Sequence, residues 1–455
     1  MAVLESCAIG LALLVIGAAP APAVTLRQKA RVGETTRGLI ELKAEGLYRP
    51  AAAPGETKEK SPKPLALKVE TRLDYDERVL AIDTKGTARR VARRVAQAAS
   101  AINGEVRPMA AVLRSEVALL VADRRAGGVV VFSPSGPLTR SELELVQGVG
   151  DPLVLPDLLP NREVAVGARW TVGNEAARGL SGYDALAVNK LEAVLESADE
   201  SSARVTLSGE VRGAVLGGEG TMVCEGALTF DRKAGRIGRL TLNRTESRQP
   251  GPVEAGLDIK STLTVDLNPA EAGAELSEAA VTGPVLSLDA GPEHEQLIVL
   301  APGGKYSLVH DRDWHTYWDD VRQTVLKRLD HGEVVAQCNL TVGPNAGKGR
   351  HQDLGQFRDD IQRALGKRFA GFVGEGETEG NPAGGFRYKV AVQGREGTVG
   401  VLWNYFLVAG PEGDQLLAAF TLTADQAKRF GDQDLRMIGS LRWRDAPAPE
   451  TAAKP

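Results

Sequence analysis

Alternation of apolar and polar positions dominates the first part of the chain. In residues 68–82 (KVETRLDYDERVLAI), Val69, Thr71, Leu73 and Tyr75 share one face, the two-residue period of a half-buried strand. Residues 203–211 (ARVTLSGEV) alternate likewise. Residues 222–230 and 237–246 flank DRKAGR, a turn with a glycine at its tip, and predict paired strands. Residues 257–267 (LDIKSTLTVDL) predict another. The phrase LPNREVAVGARWTV predicts a strand start where Trp170 anchors the sheet. Helical spacing occurs twice. Val91, Val95, Ala98 and Ile102 predict a helix whose other side, Arg89, Arg90, Arg93 and Arg94, is a solvated face. A second helix is predicted from Ser141, with Glu142 and Glu144 in its first turn.

The later part of the chain mixes the two periods. A short strand at 306–309 leads into HDRDWHTYWDD, and TVLKRLD and VVAQCNL predict a hairpin with His331 solvated at its tip. Leu354, Phe357, Ile361 and Leu365 form one helical stripe ending near Gly366. Strands follow at 386–392, 399–408 and 416–422, then a short helix at 424–430 and the closing DLRMIGSLRW. Three meandering strands without intervening helices imply an antiparallel sheet covered by helices, not a doubly wound parallel one.

Composition marks a boundary. Of the 21 aromatic residues, 15 lie after residue 275, as do all five histidines. Residues 268–292 are small, polar and punctuated by Pro and Gly, as linkers are. The expected division is therefore a β-rich domain over 24–267, a linker over 268–292 and an α+β domain over 293–445. Residues 49–64 read as a disordered loop and 446–455 as a disordered tail. The 455 residues carry 55 Lys+Arg against 59 Asp+Glu, a balance that speaks against a nucleic-acid partner.

The first 23 residues predict export. CAIGLALLVIGAA is too short to span a bilayer and suits a signal-peptide core, and PAPA offers cleavage after Ala23. No later apolar run is long enough to cross a membrane. The expected location is periplasmic or extracellular. Cys224 and Cys338, far apart in sequence, are expected to be free buried thiols.

Catalytic signatures are scarce. GLSGY around Ser181 has the wrong spacing for a nucleophile elbow. GPNAGKG has one residue too few for a phosphate loop and Gly349 where a magnesium-binding hydroxyl belongs. No cofactor is expected. The one cluster of ligand-type residues is His310, Asp311, Asp313, His315, Asp319 and Asp320. His310, Asp311 and His315 could hold a divalent metal if a loop lets them converge; in an extended chain residues five apart point to opposite faces. The plainer reading is a polar turn in which Trp314 and Trp318 anchor the sheet. Trp403 with one neighbour among Tyr405 and Phe406 is expected in the core, with a ligand groove as the lesser alternative.

The strand YSLVHDRDW, the hairpin, the helix QFRDDIQRAL, the meander around VLWNYFLV and the closing RMIGSLRW resemble the PsbP-like superfamily. That resemblance implies an α/β/α sandwich with an antiparallel sheet for the second domain, and a binding or assembly role without catalysis. The whole chain is similar to exported proteins of planctomycete bacteria, through VLRSEVALLVADRR, GPLTRSELELV, LPDLLPNREVAVGARW and VVAQCNL. The expected function is an exported, non-catalytic binding or assembly protein whose partner is an envelope protein or lipid. Two alternatives stand beside it: a metal-dependent hydrolase using residues 310–320, and an envelope lipid or lipoprotein carrier whose first domain curves around an apolar ligand.

Overall fold

The computed structural model describes residues 23–50, 63–106, 108–282, 291–301, 304–378 and 385–443. The signal-like segment up to Pro22, residues 51–62 of the expected loop, residues 283–290 of the expected linker and the 446–455 tail lie outside them.

Strands of the first unit are β1 (Ala23–Thr25), β2 (Thr35–Arg49), β3 (Leu65–Ile82), β4 (Ala88–Gly104), β5 (Met109–Val112), β6 (Leu119–Arg125), β7 (Gly128–Phe132), β8 (Glu163–Ala165), β9 (Arg169–Thr171), β10 (Ala185–Asn189), β11 (Glu192–Ala198), β12 (Ser202–Val215), β13 (Gly218–Asp231), β14 (Arg236–Arg248) and β15 (Gly256–Pro269). Two helices interrupt them, α1 (Arg140–Val146) and α2 (Asn174–Ser181). All but β1 and β8 join one 13-stranded antiparallel sheet, ordered β7-β6-β4-β3-β2-β15-β14-β13-β12-β11-β9, with β5 on β4 and β10 on β12. Alternation explains its two faces. The inner face carries Leu73, Tyr75, Leu207, Leu240 and Leu263, and residues 133–182 pack onto it through Leu143, Leu155, Leu158 and Leu180. The outer face is polar and cross-linked by pairs such as Arg72–Glu41 (2.6 Å) and Arg37–Asp74 (2.8 Å). Helix α1 starts one residue before Ser141, because Thr139 caps it and Glu142 completes a capping box.

Residues 88–104 are a strand and not a helix. Val91, Arg93 and Val95 pair with Val79, Glu77 and Tyr75 on the inner face. A bulge then inserts Ala96, since Asp74 faces Gln97 while Tyr75 faces Val95. Two pleats, then one pleat plus a bulge, reproduce the four-then-three spacing of a helix. The solvated face also fails at one position. Arg93 is 1% exposed, and its Nε donates to Glu77 (2.8 Å) while its two terminal nitrogens donate to Asp151 (2.7 and 2.8 Å).

The described part of the expected linker is packed. Asn268 and Pro269 finish β15, and α3 (Glu278–Thr282) follows a turn at Ala274–Leu276. Leu276 and Val281 bury Ala92 of β4 from its outer side.

The second unit begins with α4 (Pro292–Glu295), β16 (Leu297–Leu300) and β17 (Tyr306–His310). It continues with β18 (Trp314–Asp319), β19 (Gln323–Asp330), β20 (Glu333–Gly343), α5 (Leu354–Leu365), β21 (Phe369–Glu377), β22 (Phe386–Glu396), β23 (Val399–Ala409), β24 (Gln415–Thr423), α6 (Ala427–Phe430), α7 (Gln433–Gly439) and β25 (Arg442–Trp443). A seven-stranded antiparallel sheet runs β18-β19-β20-β24-β23-β22-β21, and β16-β17-β25 form a small second sheet. One face packs under α6, α7 and the small sheet around Trp314, Phe420 and Ile438. On the other, α5 covers β22 and β23 through Phe357, Ile361 and Leu365. Strands β18 and β21 are edges that the sequence pattern did not mark. Cys224 and Cys338 are both free and buried.

The units touch. Leu297 of β16 joins the apolar cluster of the first sheet. Arg125 pairs with Glu295 (2.6 Å), and Lys327 donates to the Pro252 carbonyl (2.9 Å).

Candidate functional site

The HDRDWHTYWDD stretch proves to be a hub between the units. His310 ends β17, residues 311–313 turn, and Trp314 opens β18 in the larger sheet, so His310 and His315 belong to different sheets. Arg312 reaches back to the first unit, donating to the Val131 carbonyl (2.6 Å) and the Gln147 side chain (3.2 Å). Arg140 of α1 answers by donating to the Arg312 and Trp314 carbonyls. His310 is 4% exposed, with Nδ1 2.8 Å from the Asp311 carbonyl. Burial pushes its imidazole down to about 4, and burial together with Arg140 pushes His315 down to about 3. Both are therefore neutral at pH 7.

The carboxylates of this stretch already have partners. Asp311 accepts from Gln433 (2.9 Å) and Gln296 (3.2 Å), and Asp313 from Arg328 (2.6 Å). Asp319 accepts from Thr324 (2.6 Å), and Asp320 from Trp318 Nε1 (2.8 Å). Among the described residues no three His, Cys, Asp or Glu side chains converge as a metal set. Trp314 is fully buried, edge-on to Phe420 and Phe430. Trp318, expected to anchor the sheet with it, is 55% exposed on the edge strand. Trp170 is half-buried beside the inner core of the first sheet and donates to the Leu158 carbonyl (2.9 Å).

A second place has the shape of a binding site. Helix α5 covers only part of its sheet face, and the register shows what stays open. One row across the sheet runs Lys327, Gln337, Thr421, Trp403; the next runs Val325, Asn339, Ala419, Tyr405; a third runs Gln323, Thr341, Leu417. All of these but Lys327 and Val325 floor a groove of about 570 Å³, walled by Phe357, Asp360, Ile361 and Ala364 of α5. Gln337 Nε2 donates to Asn339 Oδ1 (3.0 Å), leaving the remaining amide and hydroxyl groups of the floor for a visitor. The charged groups at its rim are matched: Arg368 pairs with Glu396 (2.9 Å) and Asp360 with Arg363 (2.9 Å). Trp403 is core, at 3% exposure, and Phe406 is buried on the opposite face. Tyr405 lies half-buried in the groove floor, where burial raises its hydroxyl above the usual range. The floor was available in the sequence: VVAQCNLTV alternates, and Gln337, Asn339 and Thr341 occupy the face opposite Ala336, Cys338 and Leu340.

No protein-family model and no curated protein matches the sequence. Solved structures give partial likenesses. A solution structure of cyanobacterial PsbP from Synechocystis is 14% identical, covering 36% of this chain and 100% of its own, with a TM-score of 0.27. A crystal structure from Bacteroides thetaiotaomicron is 13% identical, covering 32% of this chain and 48% of its own, at 0.23. A lipovitellin structure is 10% identical, covering 54% of this chain and 26% of its own, at 0.30. The chain thus spans about half the length of the Bacteroides protein and about a quarter of lipovitellin. Likenesses this low carry no functional argument.

Proposed function

We propose that this chain is an exported protein that works by binding, with a PsbP-like second domain whose groove beside α5 receives the partner. The observation that carries this reading is the uncovered half of the sheet face: a floor of Gln337, Asn339, Thr341 and Thr421 with paired charges at the rim. The groove is recessed and sets a few uncharged polar side chains among apolar and aromatic ones, as sites for ligands with several hydrogen-bonding groups do. A glycan segment or the amide groups of an envelope protein would meet those requirements.

The test is capture from the native envelope with wild-type protein and with the Gln337→Ala/Tyr405→Ala variant. A glycan or protein retained by the first and lost by the second, with both melting alike, supports the groove. An unchanged set of captured molecules removes it as the site.

A further inference from the structure

A different cleft lies at the end of the first sheet, below the turn that joins β13 to β14. Residues 26–31 run across it outside any strand, with more buried and exposed positions alternating, before a turn at Val32 and Gly33. Leu26 points into the core, and Gln28 Oε1 accepts from the Ile237 amide (3.3 Å), so the two-residue period turns Arg27, Lys29 and Arg31 outward. The opposite wall is the β13–β14 turn, which brings Arg232, Lys233 and Arg236. That turn is held in shape because Asp231 accepts from the Lys233 and Ala234 amides (2.9 and 2.8 Å), and Lys29 N–H donates to the Gly235 carbonyl (3.0 Å). The result is a cleft of about 910 Å³ lined by six cationic side chains and one carboxylate, Glu34.

The charges are largely uncompensated. Glu34 accepts from the Arg31 backbone (3.1 Å), and it stands 4.0 Å from Arg236, whose side chain is only 12% exposed. Among the described residues no carboxylate oxygen pairs within 4.0 Å with the side-chain nitrogens of Lys29, Arg31 or Lys233; Glu34 and Asp231 meet only the backbone amides of Arg31 and Lys233. Arg27 donates to the Asn161 carbonyl (2.9 Å) and Arg232 to the Asp199 carbonyl. Those bonds orient two guanidinium groups without neutralising them. Six like charges around one cleft repel one another unless a polyanion enters.

We propose that this cleft binds a ligand bearing several phosphate groups. Four guanidinium forks and two amines match phosphate oxygens, whose one to two charges per group, repeated along a ligand, suit this density of cations. A single carboxylate would leave most of the cleft unpaired. The site is separate from the neutral groove beside α5, so either assignment can fail without the other.

Full-length protein should be titrated calorimetrically with short-chain inorganic polyphosphate and with polyaspartate, and sedimented with phosphatidylcholine vesicles with and without phosphatidic acid. Wild-type protein should bind polyphosphate saturably, or acidic vesicles selectively. The first result assigns a soluble phosphate ligand, the second a lipid headgroup. The Lys29→Glu/Arg31→Glu/Lys233→Glu variant, altered only at exposed positions, should lose at least about tenfold in affinity. Arg350→Glu/Lys367→Glu/Arg395→Glu makes the same change in net charge elsewhere and should lose less than about threefold. Equal losses in the two variants, equal binding of polyaspartate, or no binding of either phosphate probe would each overturn the proposal.

Discussion

Arg93→Ala should destabilise the first domain severely. The wild-type guanidinium is 1% exposed and makes three charge-assisted hydrogen bonds of 2.7–2.8 Å, one to Glu77 and two to Asp151. Its central carbon also sits 5.0 Å from the centre of the Tyr75 ring. Each bond to a charged group is worth about 1.5–3 kcal/mol net, but taking the triad out of water offsets much of that sum. What remains on truncation is the penalty of two buried carboxylates without their cation, about 3–5 kcal/mol. Burial already holds the Glu77 carboxyl above its ordinary range, against the pull of Arg93, so it will take up a proton when the cation is removed. Urea denaturation followed by far-ultraviolet circular dichroism should show the midpoint falling with an unchanged slope. The control is Arg94→Ala, one residue along on the outer side, where the exposed pair with Glu275 predicts a loss within about 0.5 kcal/mol. Replacing the triad together, Arg93→Met with Glu77→Gln and Asp151→Asn, should recover a large part of the loss, since no bare charge is then buried. If Arg93→Ala costs no more than Arg94→Ala, Arg93 is solvated and the account of β4 is wrong.

Trp314→Ala should cost about 3–5 kcal/mol by emptying the space against Phe420 and Phe430, while Trp318→Ala on the exposed edge should stay within about 0.5 kcal/mol; thermal melts of the two variants compare them directly. His310 predicts an acid-sensitive unit interface. Its folded imidazole lies at about 4 against about 6.5 unfolded, so below pH 6.5 the unfolded chain binds a proton that the folded one refuses. Its contribution should therefore be full above that pH and fall by up to about 3 kcal/mol between pH 6.5 and 4, so His310→Gln should make the decline shallower by that amount in denaturation curves taken across the window, leaving the share of His315.

Local periodicity made much of the fold legible. Strands β3, β12, β13, β14 and β15, the β19–β20 hairpin and α5 each carry their period within their own residues, because burial of one face needs only a regular spacing. The polar floor of the groove was written in the same way, in the alternation of Gln337, Asn339 and Thr341 against Ala336, Cys338 and Leu340. The misreadings share a cause. Strand β4 looked helical because its bulge depends on the register with β3, and register is a property of two segments. Arg93 looked solvated because its partners lie 16 and 58 residues away in sequence. The His310–Asp320 stretch, read as a polar turn with a metal site as the lesser alternative, has a composition that suits either. Its arginine and carboxylates are taken up by backbone, amide, hydroxyl, indole and guanidinium groups up to 181 residues distant, such as the Val131 carbonyl that receives Arg312. The sequence by itself determined which segments pair a buried with an exposed face. Only the tertiary structure decided which charges meet, because the energy of a charge depends on what chain packing brings within a few ångströms of it and on how far water is excluded.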